Sequence, residues 1–595
     1  MSRLGDPSMK EIVLRLSRSS LSLREVESES QHERTDSKMA SENAFVVLGS
    51  PSSGSPPHTD LLAYLEVGNT GTPSEKPIVI VNVWDRRWCG LVLHSVVVGI
   101  VSTVLPLCVY PFLTCNLNME GTQTLSARAL LGLPWAIKPI FSLFVDCFPL
   151  PTRSRLRFSM QLGWAVTAAA LVAISFRTQP RPFFQDRELV GTPLGDLSTQ
   201  MSEINLEAPA HGAYYVLLMC IASLGSVLAD VAADELIRDV ASQHFGVSAS
   251  EEDDVFQPVL TKYRVFSILS CFPLMGIGMS GWDYGGDFDF SLEYTQVMLL
   301  IGLASLVPTV LLSFTVSESP RDRRSFSHAL LEIWSLAHNC GLNHALLCRF
   351  LGGVFAGVSA TAVNPIAFYY AGVQPLNDTV VSFVSISAVL WALHWVDKKG
   401  WNVNYRTVIV VGTISTLALD LGATMFTIWD IVRSQWLWIG LPVMEAIPSA
   451  LDYTISTVVL TEVADPSARS AMSGLVTSVS FLAGPLGLAL SKYVDAQFDV
   501  SNQEIMTDTT KVRERITATF FIAYTMQLAS LLWLLVLPRH ASEIHNFKVR
   551  SGTSTVRGVG LLLLLTGSLL FVVAVHVLSV YEPTACLGFS GGAGC

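Results

Sequence analysis

Five ionisable side chains stand inside otherwise apolar stretches of this 595-residue chain: Lys138, Asp230, Asp234, Glu445 and Asp452. A charge placed in hydrocarbon costs about 2.5 to 3.5 kcal/mol even on the lenient insertion scale, so each needs a partner, a cavity or a mobile proton. Lys138, followed by Pro139, lies about 12 Å from the nearer end of its run at about 1.5 Å per residue, too deep for easy snorkelling. Asp230 and Asp234 are spaced i, i+4 and share one helix face. Lys138 with Asp230 is the expected pair. Two chemistries fit it: exchange of a proton or a solute carboxylate during a working cycle, or a permanent ion pair between packed helices. Glu445 and Asp452, two helical turns apart with Pro448 between them, share a second face that could carry a coupling proton or pair with Arg349. Asp420 is a weaker acid of the same kind.

Other candidates are uncharged or sit near the ends of their runs. Asn364-Pro365 offers an amide and a broken helix, with Tyr369 and Tyr370 about one turn on, a lining that suits a flat, hydrogen-bonding ring. A proline kink needs no ligand, and that alternative stands beside it. Arg128 and Arg349 have the length to snorkel. The ten cysteines are scattered without a CxxC pair or nearby histidines at ligand spacing, so no metal or cofactor is expected. Cys115 and Cys586 could pair, but most cysteines read as small apolar residues. No GxxxxGK[ST], HExxH or GxSxG constellation stands out, so neither ATP-driven pumping nor enzymatic activity is expected.

The elements that must position these groups are membrane helices. Half of the residues are hydrophobic and 15% are charged, with a mean hydropathy of +0.46, which points to an all-α polytopic membrane protein. The net charge of -11 excludes a nucleic-acid partner, which would need a surplus of Lys and Arg. About thirteen runs are long enough for a hydrocarbon core of about 30 Å. They are 90–113, 123–145, 158–176, 213–233, 263–281, 294–316, 345–371, 379–396, 407–429, 435–460, 471–490, 516–537 and 559–580. With the N-terminus cytoplasmic, inner loops carry about 17 Lys/Arg against about 8 outside, as the positive-inside rule requires. The sequon Asn377-Asp378-Thr379 then falls outside, too close to the membrane for efficient glycosylation. Residues 1–85, rich in Ser, Glu, Arg, Pro and Gly without a signal-peptide core, read as a disordered cytoplasmic tail.

Two echoes suggest a six-plus-six repeat. Asp146 ends the second run and Asp397 the eighth, each followed by cations; Asp230-x-x-x-Asp234 with Arg238 ends the fourth, and Glu462-x-x-Asp465 with Arg469 ends the tenth. The resulting division is 86–316 and 345–538 for two six-helix bundles, 317–344 for a cytoplasmic linker, and 539–595 for an extra helix with a short non-cytosolic tail. The thirteenth run, interrupted by His576, reads as a peripheral anchor outside any transport path.

The run Leu133-Pro134-Trp135-Ala136-Ile137-Lys138-Pro139, followed by Asp146, Pro149 and Asp230-x-x-x-Asp234, resembles the folate/biopterin transporters of the major facilitator superfamily over residues 88–538. The loop Cys147-Phe148-Pro149-Leu150 replaces the family's more usual Gly and Arg pair, and the thirteenth helix is an addition. The resemblance implies a secondary active transporter with two six-helix bundles and alternating access, moving a folate- or pterin-like solute with protons. It implies that Asp146 and Asp397 latch the cytoplasmic bundle ends, that the tenth span borders the central cavity, and that Arg128 could meet folate carboxylates. A plasma-membrane address is expected. The alternatives are a transporter of the same fold for another small organic solute, and a receptor signalling through the Ser-rich tail. Oligomeric state is not readable.

Overall fold

In the computed structural model the described residues are 89–147, 154–197, 200–245, 257–315, 326–399, 404–440, scattered positions between 443 and 454, 469–535, 552–592 and 594. Apolar runs with few breakers give long helices because, in lipid, every backbone polar group must be satisfied internally. Among the described residues ten helices are long and apolar enough to cross a membrane. They correspond to the expected spans 1–4, 6, 8, 9 and 11–13.

The first half comprises α1 (Cys89–Leu107), which continues as a π-helical turn Val109–Asn116, α2 (Gly121–Ala136), α3 (Lys138–Cys147), α4 (Arg155–Ser175), α5 (Gly212–Phe245), α6 (Gln257–Gly278) and α7 (Tyr294–Thr315). An amphipathic helix α8 (Phe326–His338) leads into the second half. That half comprises α9 (Cys340–Ala356), α10 (Val363–Tyr369), α11 (Pro375–Lys399), α12 (Tyr405–Ile428), α13 (Arg469–Asp495), α14 (Asn502–Thr507) and α15 (Thr510–Ala529), followed by α16 (Thr555–Val580). The seventh span is broken. The α9 helix stops at Ala356, and Pro365 sits in the first turn of α10, where its missing N–H costs nothing. Most of the tenth expected span, with Glu445 and Asp452, lies outside the described residues.

The helices form the two bundles expected from the sequence. In the first, α1 packs on α5, α6 and α7, and α4 on α5 and α7; in the second, α9 packs on α13 and α15, and α12 on α15. Among the described residues the bundles meet chiefly along α2 with α13 and α6 with α11, with smaller contacts of α3 on α13 and of α10 on α2. Glycines permit the closest approaches. A Cβ on Gly163 of α4 would stand 2.5 Å from the Gly225 carbonyl of α5, and one on Gly99 of α1 would stand 2.8 Å from the Arg264 carbonyl of α6.

The α16 helix departs from the expected peripheral anchor. It packs along α2 of the first bundle and α13 of the second, and also against α8 and α9. The reason is polar: His576 is fully buried against α13, where it meets partners that the apolar sequence around it does not announce.

Candidate functional site

Helices α1, α2/α3, α4, α5 and α6 bring one cluster of charge together inside the first bundle. The chain breaks between α2 and α3 at Ile137, so Lys138 opens α3 with its side chain free to turn toward α5. Its ammonium lies 3.1 Å from Asp230 Oδ2 and 3.0 Å from Asp234 Oδ2, and 5.3 Å from the centre of the Trp135 ring. The close α4–α5 contact allowed by Gly163 and Gly225 fixes α5 against α4 five residues before Asp230.

Asp230 is fully buried and engages more than its expected partner. Arg264 of α6, 3% exposed, donates from Nη2 to Asp230 Oδ1. His94 of α1 places Nε2 3.8 Å from the same oxygen. The His94 Nδ1 accepts from Trp164 Nε1 of α4 at 3.0 Å, so the ring proton belongs on Nε2, facing the carboxylate. Among the described residues, two cations, Lys138 and Arg264, thus meet the two carboxylates. Asp234 is the more exposed of the two carboxylates, with 15% of its side chain exposed against none for Asp230.

The remaining sequence candidates are placed elsewhere. Asn364 donates from Nδ2 to Thr124 Oγ1 across the bundles at 3.0 Å. Tyr369 donates to Asn118 Oδ1 across the same boundary, and Tyr370 to the Ile505 carbonyl of its own half at 2.9 Å. Arg128 is half-buried on α2. Arg349 lies buried beneath the Trp533 ring, 5.2 Å from its centre. Asp420 accepts from the Tyr524 hydroxyl at 2.9 Å. The Asp146 carbonyl accepts from Arg155 Nη1 within the first bundle at 2.8 Å, and Asp397 belongs to α11, its side chain outside the described set. Cys115 is a free thiol whereas Cys586 is disulfide-bonded, so those two do not pair: Cys115 is sealed in the apolar boundary between the bundles.

That boundary closes the loop-rich ends of the bundles. Asn118, at a left-handed φ of 55° that asparagine tolerates, accepts from Asn502 Nδ2 at 3.1 Å. The Asn502 N–H donates to Glu120 Oε2 at 2.8 Å, and Tyr110 donates to the Val373 carbonyl at 2.7 Å. Gln374 of the second half donates to Asp287 of the first, which also pairs with Arg187.

Sequence reasoning missed Arg264, His94 and Lys492. Arg264 stood one residue inside the start of an apolar run, where an arginine reads as snorkelling, but α6 begins six residues earlier at Gln257. Lys492 lay beyond the run ending at Leu490, whereas α13 continues to Asp495. The signal available was the presence of Asp230 and Asp234 together, two acids for one expected lysine.

No protein-family model matches the sequence, and no curated protein matches it. Solved structures do. A D-xylose-proton symporter aligns with a TM-score of 0.50 at 14% identity, covering 76% of this chain and 97% of its own. The nucleoside transporter NupG, as a mutant, aligns with a TM-score of 0.50 at 11% identity, covering 76% of this chain and 99% of its own. At such identities the likeness concerns the fold, which is the major-facilitator arrangement of two helical bundles in an integral, multi-pass membrane protein.

Proposed function

We propose that the protein is a secondary active transporter that moves a small anionic organic solute, of folate or pterin type, together with protons by alternating access. The observation that carries the reading is the cluster of Lys138 and Arg264 on Asp230 and Asp234 inside one bundle. Asp230, fully buried and held by both cations, is the fixed anchor; Asp234, partly exposed and sharing Lys138, is the exchangeable acid. A proton arriving on Asp234 breaks its pair with Lys138 and leaves the cluster with one positive charge. A solute carboxylate then restores neutrality at Lys138, so proton and anion travel together. The halves 86–316 and 345–538 rock as units, with the N-terminus cytoplasmic, the loop-rich face outside and the plasma membrane as the site of action. Asp146 and Asp397 engage the cytoplasmic ends when the outer face opens, and Glu445 and Asp452 supply the second half's acids. Arg128 is a further cation for a dicarboxylate.

The test is uptake of labelled folate and biopterin into cells expressing the protein, with Lys138→Ala and Asp230→Ala at matched surface abundance. Saturable uptake that both substitutions abolish supports the reading. A second reading, transport of another organic solute, is favoured by Asn364 and Tyr369 being engaged across the bundle boundary rather than exposed for a ring. Wild-type protein that reaches the surface and moves neither compound selects it.

A further inference from the structure

Lys492, on the last turn of α13, is fully buried. Its Nζ donates to Ser126 Oγ of α2 and lies 2.8 Å from His576 Nδ1 of α16. The other ring nitrogen of His576 is 3.0 Å from the Pro485 carbonyl, so Nε2 carries the proton and Nδ1 accepts from Lys492. One side chain thus joins three segments: α2 of the first bundle, α13 of the second, and the extra helix.

The surroundings extend the junction. Ser579 Oγ, one turn beyond His576, lies 3.5 Å from the Thr122 carbonyl of α2 and 2.9 Å from the Ser590 carbonyl. Gly591, in the left-handed region at φ +100°, leans against both Lys492 and Thr122, where a Cβ would approach each to 3.0 Å. At its opposite end α16 is bound to the start of the second half by main-chain bonds. Cys340 N–H donates to the Gly552 carbonyl at 2.9 Å and Ser554 N–H to the His338 carbonyl at 3.0 Å. The Asn343 amide donates to the Arg557 carbonyl at 2.8 Å. The α16 helix is therefore anchored to the second bundle at both ends and reaches across to the first at Ser126 and Thr122.

We propose that α16 is a strap holding the loop-rich ends of the bundles shut, with Lys492 as its pin. Opening that face parts α2 from α13, so Lys492 must leave Ser126, and Thr122 must leave Ser579 and Gly591. A buried amine that loses an acceptor raises the free energy of the open state, which biases the resting protein toward closure. The proposal rests on the reading that the bundles rock, but its test needs no solute.

The native thiol Cys115 reports the motion: it is buried at the closed boundary among Tyr110, Ala367 and Val373. The full chain in lipid nanodiscs is treated with a maleimide, and the labelling rate of Cys115 is read by peptide mass spectrometry. Lys492→Met and His576→Leu are expected to raise the rate several-fold. The Thr122→Cys/Ser579→Cys pair, once oxidised, is expected to lower it below wild type, with reductant reversing the effect. The cross-linked protein decides the matter where a single substitution fails to fold. Wild-type labelling rates in the single variants and in the cross-linked protein would overturn the strap. A failure of solute uptake alone would overturn only the transport reading.

Discussion

The ionic cluster of the first bundle and the closed boundary between the bundles are both buried and polar, yet they are built from opposite materials. The cluster uses full charges and lies within one bundle, between helices that need not separate. The boundary uses mostly amides, hydroxyls and main-chain groups, from Asn118, Asn364, Asn502, Tyr110, Tyr369 and Thr124, with Glu120 and Asp287 each accepting a neutral N–H across it. Stripping a partner from a buried charge costs about 3 to 5 kcal/mol, whereas a neutral hydrogen bond contributes about 0.5 to 1.5 kcal/mol net. A surface that opens and closes must be made of contacts that break cheaply. Lys492, fully buried and joining three segments, departs from that pattern, which is why it reads as a restraint.

The comparison breaks most visibly at Asp230. Asp230→Asn leaves Arg264 and Lys138 short of one negative charge, and a loss of about 3 to 5 kcal/mol is expected in thermal unfolding of the purified protein. Arg264→Gln in the same background should recover part of that loss, since the charges balance again; recovery of none would mean that the two side chains are not coupled. Asp234→Asn, at the wetter end of the cluster, is expected to cost stability less and to remove the pH dependence of transport rather than transport itself.

Outside the membrane-spanning segments the same charge chemistry gives a smaller effect. Asp508 precedes α15 and accepts from Arg433 Nη2 at 2.8 Å and from Arg513 Nε and Nη2 at 2.9 Å. Burial alone would raise its carboxyl, but the hydrogen bonds from Arg433 and Arg513 outweigh it and hold the group at about 2. A depressed folded value contributes stability above the ordinary carboxylate range that is lost as pH falls toward about 2. Screening at this partly exposed site reduces the contribution to about 1 to 2 kcal/mol. An acid titration of unfolding should show that loss in wild type and not in Asp508→Asn. The smallest effect is expected at the boundary: Asn502→Ala should cost about 1 kcal/mol and speed Cys115 labelling modestly, an effect below that of Lys492→Met. The reverse order would place the restraint in the amide network and not at the lysine.

Much of this contrast was legible before the fold. Apolar runs of about 20 residues mark membrane helices because the bilayer leaves no other way to satisfy the backbone, and Asp230 with Asp234 announced a shared face through their i, i+4 spacing. Arg264 and Lys492 were hidden because hydropathy ends a span at the first charge, while the helix itself continues: α6 begins at Gln257 and α13 ends at Asp495. His94 gave no signal among valines and leucines; only the approach of Trp164 and Asp230 gives it a part. The role of α16 was equally unreadable. A single histidine in an apolar helix acquires meaning only when a buried lysine from a distant segment meets it.

The central claim is that Asp234 carries the coupling proton while Asp230 anchors the cluster. The most direct measurement is uptake of labelled folate and biopterin into proteoliposomes at acidic and neutral external pH, comparing wild type with Asp234→Asn at equal reconstitution. The account predicts wild-type uptake that rises with external acidity, and Asp234→Asn uptake that is the same at both pH values. Acid-stimulated uptake that survives Asp234→Asn would contradict it.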